Sequence, residues 1–383
     1  MRNPFQYGRE LLRSELVDRT EELALLDATI RNRGKLFLIG PRRFGKTSLL
    51  AAAAQDAEAR DVVVLRFDAE KFETLEVLAR AILTAALRSL RSPLEKAAAL
   101  LSTIASSLRP HVEIGPDGTL SVGLGVEAAS HGEVPMLADA LDAVERLATE
   151  TGREVAVFLD EIQQIVIEHG EGAERQLRAT VQRHARVAYI FAGSHTRLLS
   201  AMTEDGNRPF YRLGERLFLT ELPRGELMGF LRDAFAASGF DASHAACESI
   251  LEMAEEVPYN VQRLAYEAWE MLRAGALDAL RPEGVAEALR RVIHREDPAY
   301  TQTWFILTKN QKKVLKAVME TGGRGLQSAE TARRQSISPS SVQSALGALE
   351  DRHLLRQDSR KGEVRYRFVD PFLKAWIREA QGL

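Results

Sequence analysis

The residues with the plainest chemistry lie in Gly40-Pro-Arg-Arg-Phe-Gly-Lys-Thr47, a full match to G-x-x-x-x-G-K-[ST]. Its glycines free the backbone to wrap a phosphate chain, so that successive N–H groups and a helix N-terminus face negative charge. Lys46 adds a mobile ammonium for β- and γ-phosphates, and Thr47 a hydroxyl for Mg2+. Gly40, Pro41, Arg42, Arg43, Phe44, Gly45, Lys46, Thr47 and Ser48 are therefore the candidate nucleotide-binding set. Downstream, the apolar run Val155-Ala-Val-Phe-Leu ends in Asp160-Glu161. Asp160 is expected to hold Mg2+ together with Thr47, and Glu161 to orient or deprotonate an attacking water. A hydroxyl beside a γ-phosphate can report its presence, and Ser194 in Phe191-Ala-Gly-Ser194-His195 is the candidate, ahead of His195.

Arginines could complete such a site. Arg208, Arg212 and Arg216 lie close together, and a guanidinium brought to a γ-phosphate by a neighbouring subunit is worth ~10³-fold or more in rate. Ordinary ion pairs are the competing reading for each. Arg212 joins Lys46, Asp160, Glu161 and Ser194 in the candidate catalytic set. In Val257-Pro258-Tyr-Asn-Val-Gln-Arg263, a proline opens a helix and an arginine follows one and a half turns in. Pro258 and Arg263 are candidate nucleotide contacts if that helix covers the site.

These residues need a parallel sheet to position them. Apolar runs recur at 36–39, 62–67, 155–159, 187–192 and 217–219, with helical patterns between most of them. Short β-branched runs alternating with helices predict a parallel sheet covered on both faces, and ligands collect at the C-terminal ends of such strands. Asp18 or Thr20 is the expected cap of a first helix carrying Leu23, Leu26 and Ile30 on one face. Between the second and third strands, an insertion at about 74–130 holds helices and then a hairpin pattern over 111–126, turning at Pro116-Asp-Gly118. That hairpin either covers the sheet edge or meets another subunit or partner.

Residues 226–295 predict four helices and, after a short link, Lys309–Glu320, Ser328–Gln335 and Pro339–Arg352 precede two strands. That order is a winged helix. The expected division is a core over 1–222, a helical lid over 223–300 and a winged helix over 305–383. Ser338, Ser340, Ser341, Gln343 and Ser344 populate the recognition-helix region, and Arg360, Lys361, Arg365 and Arg367 the wing. No Arg or Asn–Gln cluster for base readout stands at the helix start. Residues 309–383 carry 15 Lys+Arg against 8 Asp+Glu, net +7, while the remainder is net −10. A basic end on an acidic body points to a polyanion such as duplex DNA, and protein docking is the alternative. The single cysteine, Cys247, excludes an intramolecular disulfide framework. With no apolar stretch near the ~20 residues of a membrane span, a cytoplasmic location without membrane contact is expected.

Taken together the motifs resemble the AAA+/STAND branch of P-loop ATPases, and within it the archaeal-type ATPase family. The resemblance spans nearly the whole chain. Asn3-Pro-Phe-Gln-Tyr-Gly8 and Leu16-Val-Asp-Arg-Thr-Glu-Glu-Leu23 look like that family's opening, whose Arg-Glu segment packs near adenine. Arg19 and Glu21 are the matching positions, with Asp18 where relatives often have glycine. Phe191-Ala-Gly-Ser194, Pro209-Phe-Tyr-Arg212 and Tyr366-Arg-Phe-Val-Asp-Pro-Phe372 with Trp376 are similar to later blocks. Pro258 and Arg263 match the lid proline and sensor arginine. The resemblance implies an α/β fold: a P-loop NTPase αβα core on a parallel sheet, a helical lid and a C-terminal winged helix. It further implies ATP/ADP and Mg2+ bound between core and lid, and slow, partner-stimulated hydrolysis in a switch acting on DNA. The alternative is an ATP-gated assembly or signalling module, with homo-oligomer or protein contacts through the core and hairpin. Such regulators commonly carry long sensor repeats after the winged helix. The chain ends at Leu383, so signal sensing is not expected within it.

Overall fold

Alternating apolar runs and helices form the expected parallel sheet. The computed structural model describes residues 2–90, 109–114, 120–125, 133–360 and 363–382. The chain divides into two compact units. A sheet unit comprises Leu12–Gly40 and Lys46–Leu219, and a helical unit comprises Met1–Leu11, Pro41–Gly45 and Thr220–Leu383.

In the sheet unit the order is α1 (Thr20–Arg31), β1 (Lys35–Ile39), α2 (Lys46–Glu58), β2 (Val63–Asp68), α3 (Leu75–Ser89), β3 (Arg109–Ile114), β4 (Leu120–Gly125), α4 (Glu133–Thr151), β5 (Val155–Asp160), α5 (Gln163–Arg183), β6 (Val187–Gly193), α6 (Thr196–Glu204) and β7 (Glu215–Phe218). Five strands lie in the order β2-β5-β6-β1-β7, every neighbouring pair parallel. β6 is buried throughout and β5 everywhere except at Asp160. Neither strand alternates apolar with polar, because helices cover both faces. Leu78, Ile82 and Leu83 of α3, Leu141 and Val144 of α4 and Leu177 of α5 share one core with Leu65, Val157 and Tyr189 of the strands. Phe37, Phe191 and Phe210 stack within it at centroid distances of 4.9 and 5.9 Å. β3 and β4 pair antiparallel with Val112 opposite Val122, as the alternation predicted. The expected Pro116-Asp-Gly118 turn lies outside the described residues.

The helical unit runs α7 (Arg224–Ala237), α8 (His244–Met253), α9 (Pro258–Arg273), α10 (Pro282–Ile306), α11 (Lys309–Thr321), α12 (Ala329–Gln335), α13 (Pro339–Asp351), β8 (Leu355–Arg360), β9 (Glu363–Phe368) and α14 (Pro371–Gln381). Residues from α11 onward form the winged helix, with β8 and β9 antiparallel and Leu355 opposite Phe368. Its core gathers Val314, Val318, Val342, Leu346, Leu349 and Phe368. The N-terminal strap is fixed in the same unit. Phe5 is fully buried against Phe230 and Phe235, and Asn3 donates to the Tyr266 carbonyl and the Glu270 carboxylate. Cys247 is buried, and burial pushes its thiol up to about 11. Among the described residues no helix is long and apolar enough to cross a membrane.

Two local expectations are corrected. The residue capping α1 is Arg19, in left-handed backbone (φ 73°) and without a side-chain cap bond. Neither Asp18 nor Thr20 takes that place, because Asp18 is itself left-handed (φ 57°) and Thr20 is already helical. The expected link after residue 295 is also shorter: only Leu307 and Thr308 separate α10 from the next helix, because α10 continues through Pro298 to Ile306. A proline there removes an i→i−4 bond. Contacts along the extension offset the loss: Tyr300 is buried and donates to Asp370, and Trp376 donates to Asp297 and lies against Trp304.

Glu174 on α5 has no exposed surface and receives Arg208 and the Phe210 N–H. Removing one member of a buried pair leaves an uncompensated charge. Glu174→Ala is therefore expected to lower stability by about 3 kcal/mol, read as a fall in the urea midpoint of the sheet unit's transition.

Candidate functional site

At the C-terminal edge of the sheet, β1 ends in Gly40, whose N–H reaches the Gly193 carbonyl at the end of β6. A Cβ at Gly40 would stand 2.7 Å from the Leu219 Cβ, so only glycine fits between these strand ends. Lys46 opens α2 and is buried, its ammonium turned back onto the Gly40 carbonyl at 2.9 Å. Thr47, next on the helix, is exposed, while Ser48 is buried. Asp160 ends β5, and its carboxylate accepts the N–H of Glu161 at 2.9 Å. Glu161 adopts φ 50°, a turn that directs the two carboxylates to different partners.

Glu161 Oε2 accepts from Ser194 N–H (3.0 Å), Ser194 Oγ (2.9 Å) and Gln163 Nε2 (2.5 Å). Gln163 is 1% exposed, and a Cβ at Gly193 would collide with it. Burial alone would raise the Glu161 pKa. The Lys46 charge and the donors from Gln163 and Ser194 outweigh burial and hold it below the ordinary carboxylate value. Asp160 goes the other way. Burial and the neighbouring Glu161 charge push it up to about 6, against the pull of Lys46. Two crowded carboxylates of this kind form a field that favours a cation.

The body of the phosphate-loop motif, Pro41–Gly45, packs in the helical unit. Arg43 and Gly45 take left-handed backbone, with φ of 74° and 87°. The Arg43 guanidinium meets Asp370 at 2.7 Å and Asn260 at 3.2 Å, and lies 5.1 Å from the Tyr259 ring. Its carbonyl accepts the Tyr259 N–H. Phe44 is buried under the Arg356 guanidinium, 4.9 Å from the ring centroid. A Cβ at Gly45 would meet nothing within 4 Å, so the conformation and not crowding requires glycine there.

Comparison with known proteins bears on the fold that carries these residues. Residues 29–202 match the family described as "AAA domain", and residues 298–379 match the "Probable winged helix domain" family. The chain carries an AAA P-loop domain followed by a winged helix. No curated protein matches the sequence. Among solved structures, the Walker-type ATPase PABY2304 of Pyrococcus abyssi is similar over 98% of this chain and 99% of its own, with TM-score 0.65 and 18% identity. The ORC2 protein of Aeropyrum pernix, in ADPNP–ADP complexes, is similar over 100% and 99%, with TM-score 0.58 and 16% identity. At such identities the likeness establishes the fold: a P-loop ATPase fold of the ORC type with a C-terminal winged helix.

Within the AAA domain, Lys46, Glu161 and Ser194 are brought together, and Asp160 stands beside them. The other candidates are placed as follows. Arg19 is buried and paired with Glu22 at 2.7 Å, while Glu21 is exposed. Of the three clustered arginines, Arg208 is committed inward to Glu174 and Arg216 pairs with Glu204. Arg212 is exposed, at φ 55°, with its guanidinium over the Tyr211 ring. It makes no ion pair among the described residues and lines an open cleft of about 460 Å3 with Thr203, Glu204 and Arg216. Pro258 is the first residue of α9. Arg263, further along that helix, is engaged by Glu296 on α10. His195 caps α6 by accepting the Leu198 N–H.

Sequence reasoning missed Gln163, which no motif singled out, and the partners of Arg43. Asp370 stood inside a recognised block but signalled nothing about what it holds. Gly40→Ala is expected to destabilise the sheet unit by about 1–3 kcal/mol through overpacking against Leu219, measured by denaturant unfolding.

Proposed function

We propose that this chain is an ATP-hydrolysing switch, slow alone and stimulated by a partner. The observation that carries the reading is the arrangement around Glu161: a charged carboxylate, held by the Ser194 hydroxyl and amide, in the field of the motif lysine. Loop N–H groups and Lys46 bind the phosphates, and Arg19 lies at the adenine. Thr47 and Asp160 would hold Mg2+, a cation that needs few protein ligands beside phosphate and water and that neutralises phosphate charge when bound. Their hydroxyl and carboxylate oxygens suit that hard cation. Glu161 orients or deprotonates the attacking water, and Ser194 ties that base to γ-phosphate occupancy. Pro258 and Arg263 belong to a lid, and the exposure of Arg212 supports its delivery to a neighbouring copy. Nucleotide state then sets the lid and winged-helix positions. The similar P. abyssi protein is a Walker-type ATPase, and the A. pernix protein forms ADPNP and ADP complexes.

We assign duplex DNA as the partner of the winged helix. Burial lowers the Arg365 pKa, and the charges of Arg367 and Arg324 lower it further. Such crowding marks a basic cluster suited to phosphate. The protein-docking reading has its own support. At the start of α13, Ser338 caps the helix and bonds to Ser340 and Ser341, and Gln343 is taken by Gln327. Those groups are not presented to base edges.

Lys46→Ala is expected to abolish tight nucleotide binding. Glu161→Gln is expected to retain binding and lose turnover by about 10²-fold or more, both read by nucleotide titration and phosphate release. Wild-type turnover in Glu161→Gln would remove Glu161 as the base. For DNA, Arg324→Ala is expected to weaken duplex binding at every sequence and to reduce the salt slope by about 1. Salt-insensitive or absent duplex binding by the intact chain would select the protein-docking reading.

A further inference from the structure

Two consecutive residues of the phosphate-loop motif are held by the winged helix. The guanidinium of Arg43 meets the carboxylate of Asp370, 2.7 Å away, at the residue that caps α14. The Phe44 ring lies under Arg356 of β8, which is paired with Glu221 at 3.0 Å. Asp370 is more than a local cap. Its Oδ1 accepts the Phe372 N–H at 3.0 Å and Asn260 Nδ2 at 3.4 Å, and its Oδ2 accepts the Tyr300 hydroxyl at 3.0 Å and Arg43. One carboxylate thus joins the motif loop, α9, α10 and α14. The loop is tied from the backbone side as well, because the Arg43 carbonyl accepts the Tyr259 N–H at the start of α9.

A guanidinium presents the same fork of donors to a carboxylate as to a phosphate. Arg43 belongs to a loop whose sequence is built to wrap phosphates, yet in this structure its fork is directed to a carboxylate of the winged helix. We propose that Asp370 is an internal competitor for Arg43: a nucleoside di- or triphosphate arriving at the loop takes the guanidinium, and the link between the loop and the first turn of α14 opens. This rests on nucleotide binding at residues 40–48, as proposed above, and adds the route by which occupancy reaches the winged helix. The route needs no long chain of side chains. The residue that would touch phosphate already touches α14. Asp370 keeps its bonds to Phe372, Asn260 and Tyr300 after release, so the winged helix stays folded while α14 loses its hold on Arg43.

The test uses the full chain, ADP with Mg2+, and two readouts. Hydrogen exchange over residues 366–378 is expected to rise when ADP is added to the wild type, because the start of α14 loses an anchor. Asp370→Asn removes the charge that competes for Arg43 and keeps an oxygen for the helix cap. It is expected to bind a fluorescent ADP analogue about 3- to 5-fold more tightly, the scale of one partly exposed ion pair lost from the unliganded state. Its α14 exchange should be raised before nucleotide is added and change little afterwards. Unchanged affinity in Asp370→Asn, with an exchange response like the wild type's, overturns the proposal. So does protection of α14 by ADP in the wild type, a result that stands even if the variant fails to fold. Lys46→Ala separates the two levels of inference. If the wild type binds ADP in a Lys46-dependent way and α14 does not respond, only the competition is wrong. If the wild type binds no nucleotide, the switch reading fails and the competition fails with it.

Discussion

Keeping a buried carboxylate charged is the condition on which the edge of the sheet is organised. Desolvation disfavours the ionised form of Glu161, so its charge persists only where partners offset the burial. The chain meets the condition with a lysine and three donors. Each donor imposes a demand on the backbone. Ser194 can supply both its amide and its hydroxyl because β5 and β6 run parallel in register, with Leu159 opposite Phe191, so that the two strands end together. Gln163 can reach Glu161 because the chain turns through φ 50° at residue 161 before α5 begins. Gln163 in turn fills the space beside Gly193, where any side chain would displace it. Asp160, one residue earlier, lacks these donors, and burial raises it. Two adjacent carboxylates are thereby driven apart in acidity.

In the helical unit a different carboxylate has the organising role. Asp370 is nearly buried and accepts from four groups that come from separate stretches of chain. Its need for partners accounts for a feature that local rules oppose. α10 would be expected to stop near Pro298, and it continues because Tyr300 must reach Asp370 from the next turn. The Trp376 N–H bond to Asp297 pins the same stretch from α14. A helix that violates propensity over one turn is held by side chains on either side of the violation.

What the sequence displayed and what it hid divide along one physical line. Periodicity and turn chemistry act between near neighbours, and they placed all five parallel strands, the hairpin pairing, the helices around 226–274 and the winged-helix order. Lys46, Asp160, Glu161 and Ser194 were legible because each sits at the end of a strand or the start of a helix, where a short motif shows its context. The Asp18 or Thr20 cap failed because left-handed backbone at 18 and 19 cannot be seen in side-chain types that usually cap. Gln163 and Asp370 were invisible as partners for another reason. Their settings depend on what the tertiary fold brings to them: Gly193, 30 positions away, beside Gln163, and Arg43, 327 positions away, against Asp370. For Arg208 two readings stood open, a guanidinium delivered to a neighbour or an ordinary ion pair, and the structure pairs it with the buried Glu174.

The net charge of the C-terminal segment needs the same correction for tertiary context. Counted from the sequence, residues 309–383 carry +7. In the fold, Arg356 is buried and paired with Glu221, Arg367 lies against Glu221 and Asp358, and Lys374 is bonded to Glu255. Glu221 and Glu255 lie outside the segment, so part of its excess positive charge is neutralised by residues that the segment's own tally omits. The field offered to a polyanion is accordingly smaller than +7 implies and more localised. It is concentrated where Arg365 is crowded by Arg324 and Arg367. Position therefore says more than total charge about where the positive field of this segment lies.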